Sequence, residues 1–241
     1  MASPLKAQAK AETRLALTQY ESLLVTIFIP ILALIAFSKI IKLTYPGASR
    51  IGYLVPGTIA LATMATGLVS LGIATGVERN YGVMKRLGTT PLTRGNLVAA
   101  KMIAVIAVEI IQVTLIVIVG LLLGWSPTFN AIQFIVAEVL ATIAFSGAGL
   151  LLAGRLSSEG VLASANGIFL ILLVLGGMIV PLTSLPKVIG YVSKLLPGYA
   201  TAHLLYGATA THVASNASSW ITLIVWAIAM PLIATRTFKF D

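Results

Sequence analysis

Seven of the 241 side chains are carboxylic acids, and two of these, Glu109 and Glu138, sit inside long apolar runs. An ionised carboxylate among hydrocarbon is costly, so an acid placed there marks a substrate path, a site for a cationic ligand or a proton carrier. The plainer alternative is a Glu109 that is neutral or hydrogen-bonded near Gln112, with Glu138 close to a membrane interface. His203 and His212 lie nine positions apart with no carboxylate beside them. A metal site needs several convergent ligands, so these two read as surface or interfacial histidines. Cysteine is absent, and the one aspartate is Asp241. Neither GxSxG, HExxH nor the phosphate loop GxxxxGK[ST] occurs. With no nucleophile, metal-ligand set or nucleotide cradle, the chain reads as a protein that is not itself an enzyme.

The densest cluster of charge is Glu78–Gly95, ERNYGVMKRLGTTPLTRG. An acid-base pair, Glu78 and Arg79, precedes Gly82, followed by Lys85, Arg86 and Leu87, then Thr90 and Pro91. Val83–Leu87 predicts a short helix, stopped by Gly88, with Pro91 preventing its continuation. Such a helix, held between two rigid elements, is suited to receive force from a soluble partner. The alternative is a basic loop that only fixes topology.

Those elements follow from composition. The chain is 58% hydrophobic and 10% charged, with a mean hydropathy of +1.01. Ordinary soluble domains are roughly a quarter charged. Uncharged runs cover Ser22–Ser38, Ile51–Val77, Ile110–Ala137, Val139–Gly154, Gly160–Pro186 and Leu195–Thr235. A membrane-spanning helix needs about 20 apolar residues. Barrel strands would alternate apolar and polar positions, and these runs do not. The expected fold is an all-α polytopic membrane protein with six transmembrane helices, near Glu21–Ile41, Tyr53–Val77, Asn96–Leu123, Ala131–Gly154, Val161–Val180 and Ala217–Thr235. Pro30 is expected to kink the first.

Residues 1–20 predict an amphipathic interfacial helix, with Leu5, Ala9, Leu15 and Leu17 toward lipid and Lys6, Lys10 and Arg14 near headgroups. No signal-peptide pattern is expected there, because an apolar core is missing. The six-span domain then occupies 21–241. Its late stretch around Leu195–Val213 is apolar but broken by Pro197, Gly198 and Gly207. Short re-entrant helices fit it better than a seventh span, and 181–213 is taken as an external re-entrant segment containing Pro181, Pro186 and Pro197. With the N-terminus inside, eleven basic residues fall inside and five outside, which predicts both termini in the cytoplasm. The same rule explains the net charge of +9 without a nucleic-acid partner. Gly72–Gly76 and Gly120–Gly124 form GxxxG patterns that allow close helix approach within the bundle. Asn216-Ala217-Ser218 matches a glycosylation sequon, a pattern short enough to arise by accident.

The string Glu78-Arg79-x-x-Gly82-x-x-x-x-Leu87-x-x-Thr90-Pro91-Leu92 resembles the cytoplasmic loop of permeases of the ABC-2-type exporter family, which includes drug-resistance, polysaccharide and lipid exporters. A second string, Gly176-Gly177-Met178-Ile179-Val180-Pro181-Leu182-x-x-Leu185-Pro186, continuing through Leu196-Pro197-Gly198-Tyr199-Ala200, is similar to the family's fifth span and external helices. Together with the six spans, the resemblance covers nearly the whole chain.

The resemblance implies a permease subunit of the bacterial inner membrane, paired with an identical or paralogous permease and with two ATPase subunits. It implies that 78–95 is the coupling loop, with Glu78, Arg79, Lys85 and Arg86 making charged contacts to the ATPase and Gly82 allowing close approach. ATP and Mg would belong to that partner, and this chain would bind no cofactor. The resemblance also places the dimer contact on the first, second and fifth spans. A hydrophobic or amphipathic substrate, whether drug, lipid or glycan, suits the few charges. Two rivals stay open. One is an ATP-independent secondary transporter using Glu109, although no internal repeat is visible. The other is a non-transporting membrane assembly factor.

Overall fold

The computed structural model describes residues 4–40, 49–182, 186–210 and 216–237. Among these there is no strand, and the helices follow in the order α1 (Pro4–Thr18), α2 (Tyr20–Ile40), α3 (Arg50–Met64), α4 (Leu71–Asn80), α5 (Val83–Gly88), α6 (Arg94–Leu122), α7 (Ala131–Arg155), α8 (Ser158–Leu175), α9 (Lys187–Ser193), α10 (Pro197–Thr209) and α11 (Ala217–Thr237). A π-helical turn, Ala65–Ser70, joins α3 to α4 as one long rod. Six helices among the described residues are long and apolar enough to cross a membrane: α2, the α3–α4 rod, α6, α7, α8 and α11. The chain is an all-α, multi-pass membrane protein.

Local chemistry sets the helix starts. Ser49, Thr93, Asn130 and Ser157 each accept a hydrogen bond from the backbone N–H three residues on, which satisfies a donor that the first turn leaves unpaired. Pro197 opens α10 at a position where a missing N–H is harmless. Pro186 caps α9, and Pro181 is buried in the turn before it.

α7 lies at the centre, packed on α11, α4, the π turn, α10, α3 and α6. Its small residues permit this. A Cβ on Gly149 would lie 2.6 Å from the Gly67 carbonyl oxygen of the π turn. The GxxxG positions also pack internally: Gly72 meets Gly149, Gly76 meets Val161, and Gly120 meets Val55. Gly124 instead forms a turn at φ +89°. The α3–α4 rod is mostly buried, whereas α2, α8 and α11 leave broad apolar faces exposed.

Two boundaries and one helix face differ from the sequence reading. The fifth span ends at Leu175, not Val180, because Gly176 and Gly177 follow and Gly177 takes φ +61°. Met178 and Ile179 leave the helix yet stay in the core, 0% and 5% exposed. The second span runs on to Asn80, so Glu78 and Arg79 belong to a helix and not to a loop. Ala9 is buried as α1 packs along α6, so it faces protein where lipid was expected. Pro30 sits within a helix that stays continuous from Tyr20 to Ile40. Of the short helices, α10 falls in the stretch Leu195–Val213 and α9 precedes it, and no seventh long helix occurs among the described residues. His212 and Asp241 fall outside the described residues, as do Ile41 and part of 181–213.

Candidate functional site

A cavity of about 770 Å³ lies between α1, α2, the α3–α4 rod, α6 and α8. Its body is apolar, walled by Val25, Ile29 and Pro30 of α2, Leu61, Val69 and Ile73 of the rod, Val105 and Val108 of α6, and Phe169 of α8. The π turn forms part of the wall, since Ala65, Thr66, Val69 and Ser70 all face the space. Pro30 has no N–H to offer the Thr26 carbonyl one turn back. That oxygen accepts from Gln112 Nε2 at 2.7 Å, while Gln112 Oε1 accepts from Thr66 Oγ1 at 3.1 Å. One fully buried glutamine therefore ties α2, α6 and the π turn together.

The α5 end of the cavity is charged. Lys101 is 2% exposed, and its Nζ donates to Glu78 Oε2 at 2.7 Å and to Glu12 Oε2 at 3.0 Å. A buried ammonium persists only where carboxylates compensate its lost hydration. This triad joins α1, the end of α4 and the start of α6. Arg79 points the other way and donates to the Ala153 and Leu156 carbonyls at 2.6 and 3.0 Å, capping the last turn of α7. Glu78 and Arg79 are both held by intrachain partners.

Beyond Asn80 the chain turns at Gly82, whose φ of +71° suits a residue without Cβ. α5 is seated by a small core of Met84, Leu87, Leu92 and Leu97. Thr89 and Thr90 return their hydroxyls to the Arg86 and Leu87 carbonyls and close the helix. Lys85, Arg86, Thr90 and Pro91 are exposed, with Tyr81 and Arg94 beside them. The outward surface of 78–95 is therefore basic, while its acid faces inward.

Glu109 and Glu138 are brought together between α3, α6 and α7. Thr142 bonds Glu109, Thr63 bonds Glu138, and Thr142 Oγ1 also lies 2.9 Å from the Glu138 backbone carbonyl. Neither glutamate lines the cavity. The pair sits where α6 and α3 pack on α7, and Gln112 is engaged elsewhere. His203 stands singly on α10, 3.4 Å from Ser219 and packed on Tyr199. Burial, and then the charge of Lys194, hold its imidazolium below the usual histidine range. No group of three or more metal-binding side chains occurs among the described residues.

At the end opposite α5, the unwound Gly177–Met178 segment is gripped by two tyrosines that the sequence did not single out. Tyr53 donates to the Gly177 carbonyl, and Tyr206 Oη lies 3.1 and 3.0 Å from the Gly177 and Met178 carbonyls. Their rings stack at 4.4 Å. Removing the hydroxyl alone, by Tyr206→Phe, leaves a buried carbonyl short of a donor and is expected to destabilise the chain by about 1–2 kcal/mol, measured by thermal melting in detergent.

Lys101, Glu12 and Gln112 also carried no motif. For Lys101 a signal existed: it is a lysine several residues into an otherwise apolar helix, a position that demands a partner acid.

No curated protein matches the chain. A family model described as ABC-2 type transporter matches residues 4–209, from α1 through α10, so that the cavity, the basic α5 segment and the tyrosine-gripped turn all lie within it. The chain belongs to the ABC-2 type transporter family and is the membrane-embedded permease component of an ABC transporter.

Proposed function

We propose that this permease exports a hydrophobic or amphipathic substrate, driven by ATP hydrolysed in a separate partner chain. The single observation that carries the reading is the cavity itself. It offers apolar walls along the membrane-length rod and ends at an ion triad one turn from the exposed basic surface of α5. Glu78 belongs to both: it lines the cavity and ends the helix from which α5 hangs. Movement of α5 by a docked ATPase is thus transmitted to the cavity wall through one continuous helix and one buried lysine.

The family implies a partner ATPase component. Two such subunits, holding ATP and Mg, would seat α5 through Lys85, Arg86 and Arg94 against acidic groups. A second permease, identical or paralogous, would cover the exposed apolar faces of α2 and α8, among them Phe28, Leu32, Leu170 and Ile171. The cavity lies between those helices, so the pairing encloses it. α5 and both termini would lie in the cytoplasm, with α9 and α10 at the outer end of a bacterial inner membrane.

The test is co-purification with a partner ATPase, followed by flux in proteoliposomes. Lys85→Glu with Arg86→Glu leaves the helical core of α5 intact and is expected to lower ATP-linked flux at least about tenfold, the effect of converting two exposed attractive charges into repulsive ones. Full flux in the double variant removes the coupling role. Flux without any ATPase favours the secondary transporter, and a stable complex without flux favours the assembly factor.

A further inference from the structure

A chain with net charge +9 has few acids to place, and three of its seven line one cavity. They are Glu12 on α1, Glu21 in the first turn of α2, and Glu78 at the end of α4. Against them the lining holds one cation, Lys101, and its ammonium is directed at Glu12 and Glu78. Glu21 is exposed and makes no ion pair among the described residues. The nearby basic residues are not part of the lining: Lys6, Lys10 and Arg14 are exposed on α1, and Arg79 is turned to α7. The lining is therefore negative by two charges in a protein that is elsewhere positive.

The triad lies at the α5 end, and Glu21 enters the lining from the first turn of α2. From Glu78 the lining follows the rod back to Leu61, a rise of about 25 Å at 1.5 Å per residue. Along the rod the intervening lining is apolar except Thr66 and Ser70, and Gln19, Thr26 and Asn166 add the other uncharged polar groups of the cavity. A ligand matched to this shape has one compact polar head and a long apolar body. A positive head meets attraction from all three carboxylates. A negative head meets repulsion, and Lys101 cannot neutralise it because both neighbouring acids already claim that ammonium. A neutral head leaves the carboxylates without gain.

Resting on the transport reading above, we infer that the cavity selects cationic amphiphiles, namely amines or quaternary ammonium groups carrying an apolar tail. The head lies against Glu21 and the Glu12–Lys101–Glu78 triad, and the tail runs along the π turn toward Leu61. Occupancy at this corner also touches Glu78 in the last turn of α4, so a bound cation is sensed close to where α5 begins.

The experiment uses the full chain with its ATPase partner in nanodiscs of phosphatidylcholine, with empty nanodiscs as the blank. Three radiolabelled tetradecyl amphiphiles serve as probes: the trimethylammonium, the neutral maltoside and the anionic sulfate. Ala74→Trp places a large side chain in the cavity from an exposed position of α4, and Glu21→Gln removes the one acid outside the triad. The trimethylammonium compound is expected to bind about tenfold tighter than the maltoside, a difference of about 1.4 kcal/mol, and the sulfate weakest. Glu21→Gln is expected to weaken the cation about threefold, the worth of a partly exposed charge pair, and to leave the maltoside unchanged. Ala74→Trp is expected to abolish both.

Equal binding of all three probes, lost together in Ala74→Trp, overturns charge selection while the transport reading stands. Cation binding unmoved by either variant places the ligand elsewhere and overturns the inference. No specific binding of any probe together with no ATP-linked flux overturns both readings, whereas flux preserved in Ala74→Trp overturns only the assignment of the ligand to this cavity.

Discussion

Lys101→Met is expected to lower the stability of the solubilised chain by about 3–5 kcal/mol, the range for removing one partner of a buried ion pair. The side chains of Glu12 and Glu78 are only 11% and 20% exposed, so water cannot replace the ammonium well. Methionine fills the volume of the lysine stem, which separates loss of charge from loss of packing. What remains is two carboxylates facing each other beside an apolar cavity, with α1 no longer tied to α6 at that point. The midpoint of thermal unfolding in detergent is expected to fall by about 10 °C on that loss. The control combines Lys101→Met with Glu12→Gln and Glu78→Gln. Replacing the whole triad by uncharged groups of similar size is expected to recover most of the stability, since the penalty lies in the uncompensated charge. A triple variant as unstable as the single one would show that the lysine acts through packing. Flux in the rescued triple variant is the further readout: a stable chain with lost ATP coupling assigns the triad to transmission between α5 and the cavity.

Much of the architecture was legible because it depends on local signals. Apolar runs set the membrane-length helices, and capping residues set where several begin. Gly82 and Gly88 bracket α5, and Pro186 and Pro197 start the short helices that replace a seventh span. What escaped the sequence depends on contacts between distant residues or on backbone detail. The π turn at Ala65–Ser70 lies in a sequence that reads as ordinary helix. Lys101 counted only as one of the inside positive charges, yet its partners lie 89 and 23 positions away. Glu109 and Glu138 stood out singly for their cost, but only the packing of α6 on α7 reveals them as neighbours. The end of α8 could have been found. The pair Gly176-Gly177 was in view, and the apolar run after it outweighed the break.

The same corner supplies the second large effect, because no tolerance is visible at Gly57. An ideal Cβ there would lie 1.8 Å from the Met178 carbonyl oxygen and 2.7 Å from Tyr206 Oη. The first neighbour is backbone, held by the tyrosine hydroxyl, and cannot swing aside as a side-chain tip would. Gly57→Ala is therefore expected to destabilise the chain by about 3 kcal/mol, the upper range for overpacking, and to displace the Gly177–Met178 segment. Gly167→Ala is the matched control. It lies within α8 with nothing inside 4 Å of its Cβ, so the same added methyl is expected to be neutral or to stabilise by up to about 1 kcal/mol through helix propensity. Thermal melting of both variants in detergent gives the comparison. A Gly57→Ala chain that melts with the native one would mean that α3 and the 177–178 segment separate readily. Under the proposed export cycle that separation is the motion an outer gate requires, so the result would assign the gate to this contact. The expected large loss instead makes α3, α10 and the unwound turn one rigid block. Under the same proposal, opening then falls to the thinly packed faces of α2 and α8, next to the cavity.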